Sequence, residues 1–337
     1  MPRAVSIILG SLLAALLIPS VAGAQTPLPT PTPTPPAPTP TPTPTPAPAP
    51  APAALSIKLE RVKQVGHDKV IVRGKKVRVV GTLAPFVAGQ KVTVRLNRGS
   101  HKVRQKTVAV QPGGGFGALL KVPEGKLNVR ASHAATPQQA AAQAKRQRLV
   151  GINSRAGLGS RGATVRVIQH RLSTLHYAVA RTGVFDASTA RAVIAYRKMR
   201  GWGRVGFASK AVVRSLLAGK GTFKPRFPSH GKHVEADLSR QVLVLLNGGK
   251  PYRIYTVSSG KASTPTVLGR FKVYSRQIGT NALGMVDSSY FIGGYAIHGY
   301  HDVPTFPASH GCLRVPVPNA RSIYDWLRIG DRVDVYP

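Results

Sequence analysis

Ala308-Ser309-His310-Gly311-Cys312-Leu313-Arg314 holds the only cysteine of the 337-residue chain, fourteen residues after His298. One cysteine cannot close an intramolecular disulfide, and in an exported protein an idle thiol is an oxidation liability. A thiol flanked by glycine, with histidines near in sequence, reads as a nucleophile. The competing reading is a small buried apolar residue, which free cysteines often are. Two histidines are candidates for the base that a thiol needs at neutral pH, His298 and His310.

Outward from this stretch, residues 232–337 read as mainly β. The runs 242–246 and 252–257 predict a hairpin around Asn247-Gly248-Gly249, and 271–274, 295–298 and 332–336 predict further strands. One helix is expected over 319–327, with Pro318 before it and Gly330 after it. Residues 155–219 turn helical. Val165, Ile168, Leu172 and Leu175 form one amphipathic stripe, Asp186 or Ser188 can cap a second helix, and a third runs over 209–217. Before an Ala/Gln/Arg-rich connector at 134–154, residues 54–133 carry short β-branched runs punctuated by Gly74, Gly81, Gly89, Gly99 and Gly113-Gly114-Gly115. That spacing predicts an immunoglobulin-like β-sandwich acting as a spacer.

The amino terminus speaks to compartment. Arg3, an apolar stretch over 5–18 and Ala22-Gly23-Ala24 have the three-part pattern of a secretory signal peptide, residues 1–24. Residues 25–53 are nearly all Thr-Pro and Ala-Pro, an extended polyproline tether of roughly 3.1 Å per residue. The chain is therefore expected to be exported to the cell envelope, in the wall or periplasm, with any membrane contact confined to an uncleaved signal. Its net charge of +37 is uneven: from Lys224 onward there are 14 Lys+Arg against 7 Asp+Glu, leaving +30 to the preceding residues. A basic, exported front half suits anionic wall polymers. Nucleic acid is the poorer reading, since no aromatic stacking run or basic helix accompanies the charge.

Two stretches carry family resemblances. The sequence from Gly162 to Leu172, then Gly183-Val184-Phe185-Asp186 and Thr189 to Val193, resembles the small three-helix peptidoglycan-binding module, over residues 155–219. Ser263-Thr264-Pro265-Thr266-Val267-Leu268-Gly269-Arg270-Phe271, Ala296-Ile297-His298-Gly299 and Ser309-His310-Gly311-Cys312-Leu313-Arg314 together resemble the L,D-transpeptidase catalytic-domain family, over residues 232–337. The first of the three departs from the family pattern by one extra residue before its glycine.

The second resemblance implies an enzyme that cross-links bacterial peptidoglycan. It assigns Cys312 as nucleophile, His298 as base and the Gly299 carbonyl as the group orienting the imidazole. Ser309 and His310 become loop supports, and Arg314 a residue that holds a substrate carboxylate or braces the site. Gly311, without a Cβ, is expected to let the chain turn and to free its own N–H and that of Cys312 for an oxyanion. The implied reaction is acyl transfer from a tetrapeptide stem through a Cys312 thioester, releasing D-alanine and forming a 3→3 cross-link, with no cofactor. Hydrolysis of the same bond, an L,D-carboxypeptidase, and a non-catalytic wall-binding protein are the alternatives. A zinc hydrolase built on His298, His301, Asp302, His310 and Cys312 lacks any recognised ligand interval, so no metal is expected.

Overall fold

A computed structural model describes Gly23 and residues 48–337. The expected signal peptide, Gly23 apart, and the tether up to residue 47 lie outside the described residues. Residues Ala49–Pro337 form one compact unit. No helix among the described residues is long and apolar enough to cross a membrane.

Ten strands come first: β1 (Ala54–Glu60), β2 (Lys63–Val65), β3 (Asp68–Val72), β4 (Lys76–Ala84), β5 (Lys91–Arg98), β6 (His101–Ala109), β7 (Gly115–Lys121), β8 (Gly125–His133), β9 (Ala142–Gln143) and β10 (Gln147–Ile152). They make a three-stranded sheet, β1-β4-β7, and a larger sheet ordered β2-β3-β10-β8-β5-β6, with β9 on β8. Alternation along β4 and β5 turns Val77, Val79 and Leu83 of one sheet, and Val92, Val94 and Leu96 of the other, into a shared core. The expected connector 134–154 is not a simple link, because it contains β9 and β10. β10 sits centrally, antiparallel to β8 and parallel to β3 with Val150 opposite Val70. A partner some 80 residues back in the sequence leaves no local turn signal to read.

Three helices follow, α1 (Ala163–Thr174), α2 (Ala187–Met199) and α3 (Lys210–Leu217). Of the two candidate caps, Asp186 is the one used: its carboxylate accepts from the Thr189 N–H, and Ser209 caps α3 in the same way. Val165, Ile168 and Leu172 of α1 are fully buried.

The last part comprises β11 (Lys232–Asp237), β12 (Val242–Asn247), β13 (Lys250–Thr256), β14 (Gly269–Lys272), β15 (Ser275–Thr280), β16 (Val286–Ile292), β17 (Tyr295–Tyr300), β18 (Leu313–Pro316), α4 (Val317–Trp326) and β19 (Arg332–Tyr336). One sheet runs β13-β12-β11-β19-β14 and a second β15-β16-β17-β18. α4 begins before the expected 319 because Pro318 fits the first turn, where an N–H would be unsatisfied anyway. The Val242-Leu243-Val244-Leu245-Leu246 run does not alternate in polarity, because both of its faces are covered. Val242, Val244 and Leu246 join Ile254 and the buried faces of α1–α3 in one core, which also takes in Val150 and Ile152 of β10. Leu243 and Leu245 face the other way, into a core with Ile297, Leu313, Val315, Ala320 and Ile323. At about 1.5–3 kcal/mol per fully buried aliphatic side chain, the helices are a structural wall of this sheet.

Candidate active site

Strand β17 and the turn before β18 bring the site together. The two strands are parallel, with Ile297 opposite Leu313 and His298 opposite Arg314. Cys312 immediately precedes β18 and hangs over the start of β17. Its Sγ–H points to the Gly294 carbonyl at 3.6 Å, and the backbone N–H of Ala296 faces the sulfur. Two residues on from Ala296, on the same face of β17, stands His298. Continued back by one residue, the register sets Cys312 opposite Ala296, two residues before His298 on the neighbouring strand.

His298 is only 3% exposed. Its Nδ1 lies 2.9 Å from the Gly299 carbonyl oxygen, which can only accept, so Nδ1 carries the hydrogen and Nε2 keeps a free lone pair. Burial pulls the imidazole below its ordinary pKa, the Gly299 carbonyl opposes this, and the Arg314 cation lowers it further. Burial pushes the half-buried Cys312 thiol up, against the lowering effects of the Ala296 N–H and of Arg314. The pair therefore rests as thiol and neutral imidazole. Gly299 has no room for a side chain, since a Cβ there would come within 2.7 Å of Ala320 Cβ on α4.

Ser309 is fully buried, and its hydroxyl donates to the Cys312 carbonyl at 2.6 Å while accepting from the Gly311 N–H at 3.1 Å. The expectation that the Gly311 N–H is free for an oxyanion is therefore overturned: it is already bonded. The Cys312 N–H has no acceptor among the described residues. Gly311 is required for another reason. Its φ is +112°, and a Cβ would fall 2.1 Å from the Tyr295 ring. His310 is exposed to solvent, and no hydrogen bond ties its side chain to the loop among the described residues. The Arg314 guanidinium lies over the Tyr300 ring, 4.1 Å from its centre, and the His298 ring meets the same tyrosine edge-on. No cluster of three His, Cys, Asp or Glu groups suited to a metal occurs among the described residues.

Two residues acquire a role that sequence reasoning did not give them. Thr266 Oγ1 donates to the Gly311 carbonyl at 2.7 Å while accepting from the Gly260 N–H, and Thr264 Oγ1 donates to the Ser309 carbonyl at 3.1 Å. The Ser263–Phe271 stretch is thus a clamp on the cysteine loop. Each hydroxyl lies 45 residues before the loop residue it holds, too far apart in sequence for the pairing to be read.

The YkuD family, described as the L,D-transpeptidase catalytic domain, matches residues 231–335. Among curated proteins none matches the chain. Among solved structures, an L,D-transpeptidase from Xylanimonas cellulosilytica is 36% identical, with a TM-score of 0.50 over 54% of this chain and 97% of that one. One from Stackebrandtia nassauensis is 22% identical over 54% and 95%, with a TM-score of 0.34. One from Enterococcus faecium is 23% identical over 38% and 62%, with a TM-score of 0.29. The family match falls on the domain that runs from β11 to β19, and the Xylanimonas likeness extends over nearly the whole of its own chain. With that likeness beside the family match, this chain belongs to the L,D-transpeptidase family.

Proposed function

We propose that the protein is an exported transpeptidase that forms 3→3 cross-links by acyl transfer through Cys312. The observation that carries this reading is the Nδ1–Gly299 hydrogen bond. It leaves His298 Nε2 as an unprotonated acceptor on the face where the thiol sits.

Cys312 Sγ attacks the stem carbonyl between the third residue, an L-centre, and the terminal D-alanine. The thiol proton passes to Nε2 as the S–C bond forms, and the Cys312 N–H receives the developing oxyanion. Collapse breaks the C–N bond, and the imidazolium returns the proton to the departing D-alanine amine. The side-chain amine of a neighbouring stem's third residue then attacks the thioester. Nε2 takes its proton, the C–S bond breaks, and the sulfur recovers a hydrogen. No carboxylate or cofactor enters this cycle. Arg314, stacked on Tyr300, braces the imidazole edge and supplies positive charge for a stem carboxylate. If water replaces the amine, the same site trims the stem as an L,D-carboxypeptidase.

The remaining parts fit an envelope protein. A signal peptide (1–24) delivers the chain, and the tether (25–53) holds its folded part away from the membrane or into the wall layer. The β-domain that begins at residue 54 serves as an immunoglobulin-like spacer, and residues 155–219 as a peptidoglycan-binding module. The basic front half contacts anionic wall polymers. Purified protein incubated with tetrapeptide muropeptides, with products read by mass spectrometry, tests the central reading. Cross-linked dimer with free D-alanine is expected, trimmed monomer alone makes it a carboxypeptidase, and no product sinks both.

A further inference from the structure

The cysteine loop is held from outside its own domain. Lys198, in the last turn of α2, is only 3% exposed, and its ammonium donates to the Gln241 carbonyl at 3.0 Å, Thr256 Oγ1 at 2.7 Å and the Val257 carbonyl at 2.9 Å. Its three N–H groups thus meet three neutral oxygens and no carboxylate. Burying an ammonium without an anion is unfavourable. Burial, with Arg204 alongside, pushes it down to about 7, which measures how incompletely those oxygens replace water.

One of those contacts, the Gln241 carbonyl, leads toward Cys312. Gln241, held at φ +58° between β11 and β12, accepts from the Val257 N–H through the same carbonyl. Its side-chain amide brackets Ser259, donating to the hydroxyl at 2.7 Å and accepting from the N–H at 3.0 Å. The Ser259 carbonyl in turn accepts from the N–H groups of Ala308 and Ser309, at 2.8 and 2.9 Å. Ser309 then fixes Cys312 and Gly311 through its hydroxyl. A second tie runs alongside: the Arg204 guanidinium donates to the Thr305 carbonyl at 2.6 Å, in the segment that enters the loop, and to the Ser239 carbonyl at 3.2 Å. Helix interiors seldom bury lysine. One whose every bond lies on another domain, at the root of the nucleophile's loop, acts on that loop.

We propose that Lys198 is a positioning residue for Cys312, so that the helical module sets the geometry of the catalytic loop as well as walling the sheet. This rests on Cys312 being the nucleophile. The test is Lys198→Met in the full chain, with two readouts on folded protein: the rate at which iodoacetamide alkylates Cys312, and kcat and KM for D-alanine release. Because Cys312 is the only cysteine, the first readout reports the loop whatever the substrate. Alkylation and kcat are both expected to fall about tenfold, with KM within about twofold of wild type, since a misplaced reacting group costs rate more than binding. A lower Tm with alkylation and kcat unchanged would make Lys198 a mere interface residue and overturn the proposal. If Lys198→Met does not fold, Thr256→Val carries the test by removing one acceptor in nearly the same volume. A smaller fall in both readouts supports the proposal, and wild-type values there overturn it. Slowed alkylation in the variants, together with a wild type that releases no D-alanine, would keep the positioning role while rejecting the transpeptidase reading.

Discussion

Two buried histidines of the catalytic domain, His298 and His233, differ in what their two ring nitrogens meet. His298 gives Nδ1 to a backbone carbonyl and leaves Nε2 unbonded among the described residues. His233, on β11, has the Gly231 carbonyl 2.8 Å from Nδ1 and the Glu235 carboxylate 3.2 Å from Nε2. Two acceptors require two hydrogens, so His233 is an imidazolium. Burial opposes that charge, but the hydrogen bond to Glu235 and the Gly231 carbonyl outweigh it and raise the pKa above its ordinary value. Glu235 accepts further hydrogen bonds from the N–H groups of Arg226 and Phe227 and from the Tyr336 hydroxyl. Against the penalty of burial, these hold its carboxyl below the usual range. One histidine is thus kept neutral with a lone pair to use. The other is spent pinning the segment that enters β11. The carboxylate partner holds His233 charged, and the lack of one leaves His298, the proposed base, neutral.

The sharpest way to break this contrast is at the reactive pair. Cys312→Ala is expected to abolish D-alanine release while leaving the far-UV spectrum and Tm close to wild type, since a half-buried thiol adds little to the core. His298→Gln should lower kcat by about 10²–10⁴-fold, the usual contribution of a general base, with the thiol still open to slow alkylation. Activity within about tenfold of wild type would mean that the proton leaves the sulfur by another route.

At the structural pair the effect should move from rate to stability. Glu235→Gln leaves a buried imidazolium short of its anion and is expected to cost about 3 kcal/mol, read by urea unfolding, with kcat little changed in the folded protein. The sign of the pH dependence follows from the two shifts. His233, raised above 6.5, adds stability that is complete below that value and is lost as pH rises through its folded pKa. Glu235, lowered from 4.5, adds stability that is complete above that value and is lost as pH falls through its folded pKa. Tm should therefore be highest between the two ordinary values, and Glu235→Gln should flatten the profile on both sides. A wild-type profile that keeps rising through the alkaline range would contradict the charged His233.

How far these sites could be read in sequence depended on whether their partners were local. The Ser-His-Gly-Cys turn was legible because its parts are neighbours, and so was the α1 stripe, because a helix repeats its own face. Gly311 looked like an oxyanion donor because its N–H is conspicuous, yet Ser309, two residues away, already holds it. β10 was hidden in an Ala/Gln/Arg-rich stretch because its partner β3 is distant. In β16, buried Ser288 and Ser289 interrupt any apolar pattern. Lys198 and His233 are of a polar type that sequence assigns to the surface. Only the packing of another strand or domain over them makes them interior.

The smallest expected effect separates the two histidines by the cation beside one of them. Arg314 depresses His298 and also lowers the Cys312 thiol, and nothing comparable acts on His233. In wild type the acid limb of kcat/KM should lie below the ordinary histidine value, because the imidazole stays deprotonated further into acid. Arg314→Ala removes that push, so the acid limb should move up in pH and the alkaline limb should move up with it. The Tm-against-pH profile governed by His233 and Glu235 should not shift. Lys in place of Arg keeps the charge without the flat stacking surface on Tyr300. Arg314→Lys should therefore retain the wild-type acid limb if charge is what matters. A limb that moves equally in both variants would instead assign the effect to the Tyr300 stack that supports the imidazole edge.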